Sequence, residues 1–170
     1  QGAVGQDEKW LETQLEPTRE LYLGLTEPYW GIELLIWPEA ALPTLLHEEL
    51  DFLAELDERA RAAGSQLLMG ILQWDRRSGH YYNTLVSLGG EPEIYRKRQL
   101  VPFGEYFPVP DFVRQVMRMM SLPYSDIAPG PPDPGPMTLA GVPVAPTICY
   151  EDAFGAQQRV FFPAAELLVN

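Results

Sequence analysis

The chain has one cysteine, two histidines and twelve basic residues among its 170. A single cysteine excludes a disulfide framework within the chain. Cys149 is then either a small buried apolar residue or a nucleophile. His47 and His80 stand apart and lack ligand spacing, so no metal centre is expected. The 12 Lys and Arg face 24 Asp and Glu, for a net charge of −12. Such a chain lacks the basic face that nucleic acid demands and the Lys/Arg clusters that dock on anionic lipid. No run approaches the ~20 apolar residues of a membrane span. Glu33 and Pro38-Glu39 interrupt the best candidate, residues 32–46. There is no GxGxxG, no P-loop and no signal peptide.

What is present is an ordinary globular composition, 46% apolar and 21% charged, in a length that fits one domain. Periodicity predicts a helix over 17–26, with Pro17 at its first position and Leu21, Tyr22 and Leu25 on one side. Residues 32–37 read as a strand covered on both faces. A second helix is predicted over 47–63, with Leu50, Leu53, Leu56, Ala60 and Ala63 inward and Gly64 as its stop. Strands follow at 66–74, 81–88 and 94–97, with Ser78-Gly79 and Gly89-Gly90 in turns. Residues 100–136 are proline-rich and carry one amphipathic insert, Asp111–Met120, whose methionines are either core or a bed for a flexible acyl chain. Met137–Ala140 and Val142–Cys149 read as paired strands, 153–162 as a helix, and 166–169 as a last strand. Strands and helices mix without an internal repeat, which points to an α/β or α+β layered fold. The chain opens without Met and closes on a strand-like run, as expected of a piece of something longer.

Three segments each set a reactive side chain at the exit of a strand: Trp37-Pro38-Glu39, Tyr95-Arg96-Lys97-Arg98 and Thr147-Ile148-Cys149-Tyr150-Glu151-Asp152. If these exits share one side of a sheet, a carboxylate, an ammonium and a thiol converge. Thiol-based acyl transfer needs that set: a nucleophile, a base to take its proton, and a cation for the oxyanion. Each residue also has a plainer reading. Glu39 serves as a carboxylate near a helix N-terminus. Lys97 belongs to a solvated charge run on an edge strand. Strand alternation would send Lys97 to one face and Arg96 and Arg98 to the other. Glu105 and Glu151 are a second base, an orienting group, or surface acids.

Taken together, the motifs resemble the carbon-nitrogen hydrolase (nitrilase) superfamily and, within it, the apolipoprotein N-acyltransferase branch. Glu8-Lys9-Trp10, Ile36-Trp37-Pro38-Glu39, the stretch Tyr95 to Glu105 (YRKRQLVPFGE) and Ile148-Cys149-Tyr150-Glu151 carry the resemblance, the third most specifically. It covers residues 1–170 as a partial domain, and implies a nitrilase-like αββα sandwich, incomplete at the C-terminus and set on membrane helices absent from this chain. It implies a Glu39–Lys97–Cys149 triad, Glu105 assisting, and supporting or substrate-binding roles for Trp10, Tyr150 and Glu151. It further implies a lipid-facing arm near 100–125, no cofactor and no metal. The reaction implied moves an acyl chain from a phospholipid, through a cysteine thioester, to the α-amine of a diacylated lipoprotein N-terminus. The site implied is the periplasmic face of a bacterial inner membrane. By the same resemblance, residues 1–170 alone are expected to fold poorly or to be inactive on lipids. A soluble amidase with the same triad, or an inactive piece, are the alternatives.

Overall fold

The computed structural model describes residues 3–102, 105 and 127–170, with side chains from residue 14 onward. Helix α1 (Ala3–Thr26) leads into strand β1 (Leu34–Ile36), helix α2 (Leu50–Ala63), and strands β2 (Gln66–Asp75), β3 (His80–Leu88) and β4 (Ile94–Arg96). Strands β5 (Met137–Leu139) and β6 (Val142–Pro146), a short helix α3 (Gly155–Gln158) and strand β7 (Leu167–Val169) follow.

Two mixed sheets result. In the first, of order β1-β2-β3-β4, β1 runs parallel to β2 and the other pairs are antiparallel. In the second, of order β5-β6-β7, β5 and β6 form a hairpin and β7 runs parallel to β6. Ala140 and Gly141, both at positive φ, make the two-residue turn that this hairpin needs.

The strand period of two sorts the core into two layers. Leu68 and Leu85 point from the first sheet toward Met137, Leu139, Val144, Ile148, Phe161 and Val169, so the sheets pack face to face. Leu67, Met69, Ile71 and Val86 point the other way, against Leu53 and Leu56 of α2 and Leu15, Tyr22 and Leu23 of α1. The layers run helix, sheet, sheet.

Local chemistry corrects several expectations. Pro17 sits inside α1 rather than at its start. The helix continues N-terminal to it, at the cost of one backbone hydrogen bond. Leu21 and Leu25 are exposed, because Leu15, Tyr22 and Leu23 form the face that meets the sheet. Leu50 is likewise exposed, at the first residue of α2, beyond the buried row Leu53, Leu56 and Ala60. Gly64 takes the left-handed conformation at φ 70°, as a helix stop requires. The helix expected over 153–162 is instead α3 flanked by two 3-10 turns.

Candidate active site

Each of the three strand exits has a local reason for its position. After β1 the chain keeps following β2: the Trp37 N–H bonds Leu68 O at 2.8 Å, the Gly70 N–H bonds Pro38 O at 3.2 Å, and the Ala41 N–H bonds Gly70 O at 2.8 Å. A Cβ on Gly70 would lie 2.6 Å from both Glu39 Cα and Pro38 O, so only glycine admits this close approach. Trp37 anchors the segment, stacking on Tyr22 at 4.9 Å while its indole N–H bonds Thr26 Oγ1 at 2.9 Å.

Lys97 lies one residue beyond β4, held on both sides. Its N–H bonds Asn83 O and its carbonyl accepts the Gly130 N–H, each at 2.8 Å. Its side chain is only 1% exposed, so it is no surface charge. The Nζ donates to Glu105 Oε1 at 2.8 Å and to Glu39 Oε1 at 3.2 Å. Glu105 is 16% and Glu39 34% exposed. Glu105 Oε2 takes the Val101 N–H at 2.8 Å. Burial works against the Lys97 charge. The Glu105 hydrogen bond and the two carboxylate charges outweigh it and hold the ammonium above its usual range. Lys97 is therefore a fixed cation at neutral pH, suited to stabilise an anion and unsuited to act as a base.

Cys149 opens a 3-10 turn just after β6. The Thr147 N–H bonds Val169 O at 2.8 Å, tying the strand exit to β7. Cys149 has φ 52°, a strained left-handed conformation for a non-glycine residue, and it is exposed. Such a corner turns the sulfur outward. Cys149 and Glu39 line one cavity of about 60 Å³ with Trp37, Leu85, Thr147 and Asn170.

Glu151 behaves differently from the surface acid or second base that its sequence position allows. It is fully buried, and its carboxylate accepts hydrogen bonds from Tyr95 Oη, from the N–H groups of Arg98 and Gln99, and from the Ile148 N–H at 2.8 Å. It thereby links the chain just after Lys97 to the residue just before Cys149. The two arginines do not share a face. β4 ends at Arg96, so its alternation does not extend to residue 98. Arg96 lies over the Tyr82 ring at 4.1 Å, whereas Arg98 turns inward to Tyr95 Oη and Gln158. Tyr150 is exposed, edge-on to Phe154. The Trp10 side chain and the Asp111–Met120 insert lie outside the described residues.

Sequence reasoning missed Asn83, Gly70 and Tyr95. Asn83 is buried on β3 and donates from Nδ2 to Glu39 Oε1 at 2.6 Å and to Glu105 Oε1 at 3.3 Å. Its signal was a polar residue on the inward face it shares with Leu85. For Gly70 the signal was a lone glycine within an apolar strand.

Helix, sheet and sheet layers that bring a carboxylate and a cysteine to one cavity, with a buried lysine on the carboxylate, define an α/β protein equipped for thiol chemistry. The carbon-nitrogen hydrolase family model matches residues 3–170, and the chain belongs to that family. It is 37% identical over 171 residues to an apolipoprotein N-acyltransferase of Methylococcus capsulatus, covering 100% of this chain and 34% of that protein. It is 39% identical over 173 residues to one of Nitrosomonas europaea, with the same coverage. The chain thus spans about a third of the length of the curated relatives it matches. Among solved structures, a carbon-nitrogen hydrolase from Helicobacter pylori superposes with TM-score 0.61 at 17% identity, covering 93% of this chain and 53% of that one. Nit3 of Saccharomyces cerevisiae, of the nitrilase superfamily, does so with TM-score 0.56 at 14% identity, covering 89% and 56%. At these identities the likeness speaks for the fold, which is nitrilase-like.

Proposed function

We propose that residues 1–170 are part of the nitrilase-like domain of an apolipoprotein N-acyltransferase, set among membrane helices and facing the periplasm. The observation that carries the chemistry is Lys97 Nζ, buried and bonded to Glu39 and Glu105, with Glu39 on the same cavity as Cys149. The identity to the named relatives over the whole of this chain directs that chemistry to lipoprotein maturation. Among the described residues no helix is long and apolar enough to cross a membrane.

In the first half-reaction Glu39 takes the Cys149 proton and the thiolate attacks the ester carbonyl of a phospholipid. Lys97 supports the oxyanion, with Glu105 holding the lysine in place. The ester C–O bond breaks, Glu39 returns the proton to the leaving alkoxide, and a lysophospholipid departs. In the second, the α-amine of a diacylglyceryl-cysteine attacks the thioester and passes its proton to Glu39. The C–S bond breaks, freeing the thiolate and an amide. Tyr150, exposed beside Cys149, and Trp10 are assigned to substrate contact; Glu151 acts from behind, through the backbone.

Intact mass tests this. The full-length protein in detergent with phosphatidylethanolamine is expected to gain one hydroxylamine-labile acyl group, lost in Cys149→Ala. No adduct, together with turnover of small amides, would favour a soluble-type amidase. No adduct and no turnover would mean that the site is not catalytic.

A further inference from the structure

Asn83 has no role in the triad, yet it makes the shortest contact to Glu39. Its amide orientation is fixed by chemistry. Two carboxylate oxygens, Glu39 Oε1 and Glu105 Oε1, approach the same end of the side chain, and only the NH2 group can face both. The other end, Oδ1, is buried and has no hydrogen-bond partner among the described residues. An orphaned buried acceptor costs about 1–3 kcal/mol.

The two donors on Glu39 grip the same atom. Asn83 Nδ2 and Lys97 Nζ both bond Oε1, at 2.6 and 3.2 Å. Among the described residues no donor meets Glu39 Oε2. The ammonium and the amide thus occupy Oε1 and leave the lone pairs of Oε2 free to accept a proton. That carboxylate shares its cavity with Cys149.

We infer that Asn83 is a positioning residue: it pins Glu39 by Oε1 so that Oε2 is the oxygen that takes the Cys149 proton. The inference rests on the proposed roles of Glu39 and Cys149. It also explains how two carboxylates stand against one ammonium, an arrangement with one excess negative charge. The Asn83 amide contributes a second, neutral donor between them without adding a group that titrates.

The test is the pH profile of Cys149 alkylation by iodoacetamide in the full-length protein, for the parent, Asn83→Leu, Asn83→Asp and Glu39→Gln, with thermal melting alongside. Asn83 meets Glu39 and Glu105, which both bond Lys97, and Glu39 in turn lines a cavity with Cys149. Removing the amide donor leaves the negative form of Glu39 less supported, so the acid limb of the profile moves to higher pH in Asn83→Leu. A third carboxylate in Asn83→Asp moves it further, by about one pH unit, or tenfold in rate on the limb. Asn83→Leu, which removes the orphaned Oδ1, melts within a few degrees of the parent. With saturating phospholipid, kcat falls at least about tenfold while KM stays within about twofold. A purely structural Asn83 predicts the opposite: lower melting and lower amplitude, with the limb unmoved in both variants, which would overturn the inference. Slow alkylation in Glu39→Gln with parent-like Asn83 variants sinks this inference alone. Parent-like alkylation in Glu39→Gln sinks the proposed base and this inference with it.

Discussion

Lys97 and Arg98 are neighbours in sequence and anchor two buried polar clusters of opposite character. The Lys97 cluster gathers Glu39, Glu105 and Asn83, and Glu39 also lines the cavity of Cys149. It carries two carboxylates on one ammonium and, among the described residues, one carboxylate oxygen without a donor and one amide oxygen without a partner. The Arg98 cluster closes on itself. Glu151 takes donors on both oxygens, Tyr95 Oη bridges it to the Arg98 guanidinium at 3.2 Å, and Gln158 returns from that guanidinium to Glu151 O at 2.7 Å. Phe161 packs under Arg98 at 4.9 Å. A polar network in a low-dielectric interior specifies structure when every member is satisfied. Left partly unsatisfied, it keeps capacity for a proton or an anion. The closed cluster holds the backbone at both strand exits, and the open one is left to react.

The contrast is tested most severely at Glu151. Glu151→Ala strands four donors, three of them buried, and is expected to cost about 3–5 kcal/mol in stability, as does breaking a buried charge network by removing one partner. Denaturant unfolding of the full-length protein measures it. Glu39→Gln, in the open cluster, should stay within about 1 kcal/mol of the parent while thiol reactivity falls, because its carboxylate is a third exposed. Equal stability losses in the two variants would erase the distinction between the clusters.

Much of this was legible from sequence, for a definite reason. A strand ends where its apolar run ends, and Glu39, Lys97 and Cys149 each stood at such an end. Helix α2 and the β5–β6 hairpin announced themselves by apolar residues three and four apart and by Gly141 between two strand-like runs. The layered α/β class followed from the mixture of elements and the nitrilase-like fold from resemblance to the superfamily, and the solved relatives share that fold. What stayed hidden depends on long-range contact. That Glu151 is buried follows from Tyr95, 56 positions earlier, reaching across the inter-sheet core. That Leu21 and Leu25 are outside follows from how α1 rotates on the first sheet, which local periodicity leaves open by one turn. Asn83 was not singled out, because its carboxylate partners Glu39 and Glu105 lie 44 and 22 positions away in sequence.

Gly70 gives a way to disturb the open cluster alone. Gly70→Ala places a Cβ against the backbone of Pro38, Glu39 and Ala40, and backbone cannot rotate aside as a side chain does. Overpacking of this kind costs about 1–3 kcal/mol. Because the displaced segment carries Glu39, the acid limb and rate of Cys149 alkylation should change more than the melting temperature, with Glu151 and its partners left in place. A variant that melts several degrees lower but alkylates like the parent would mean that Glu39 is not held by this contact.

The smallest expected effect lies at alkaline pH and reads both clusters at once. In Tyr95, burial first and the Glu151 charge second hold the phenol proton on well above its ordinary value near 10. For Lys97 burial opposes the charge, but the Glu105 and Glu39 contacts prevail and the ammonium persists above its ordinary value near 10.5. In both, the folded state binds the proton more tightly than the unfolded chain. Stability from these groups is therefore complete below about pH 10, and is lost as pH rises through their folded-state values. Lys97→Met and Tyr95→Phe should each flatten the fall of unfolding free energy above pH 10, measured by urea titration at successive pH values. The double variant should flatten it by the sum of the two, since the groups sit in separate clusters with no shared hydrogen bond. A double variant no flatter than either single one would show that the two clusters titrate as one unit, and the division between a closed and an open network would fall.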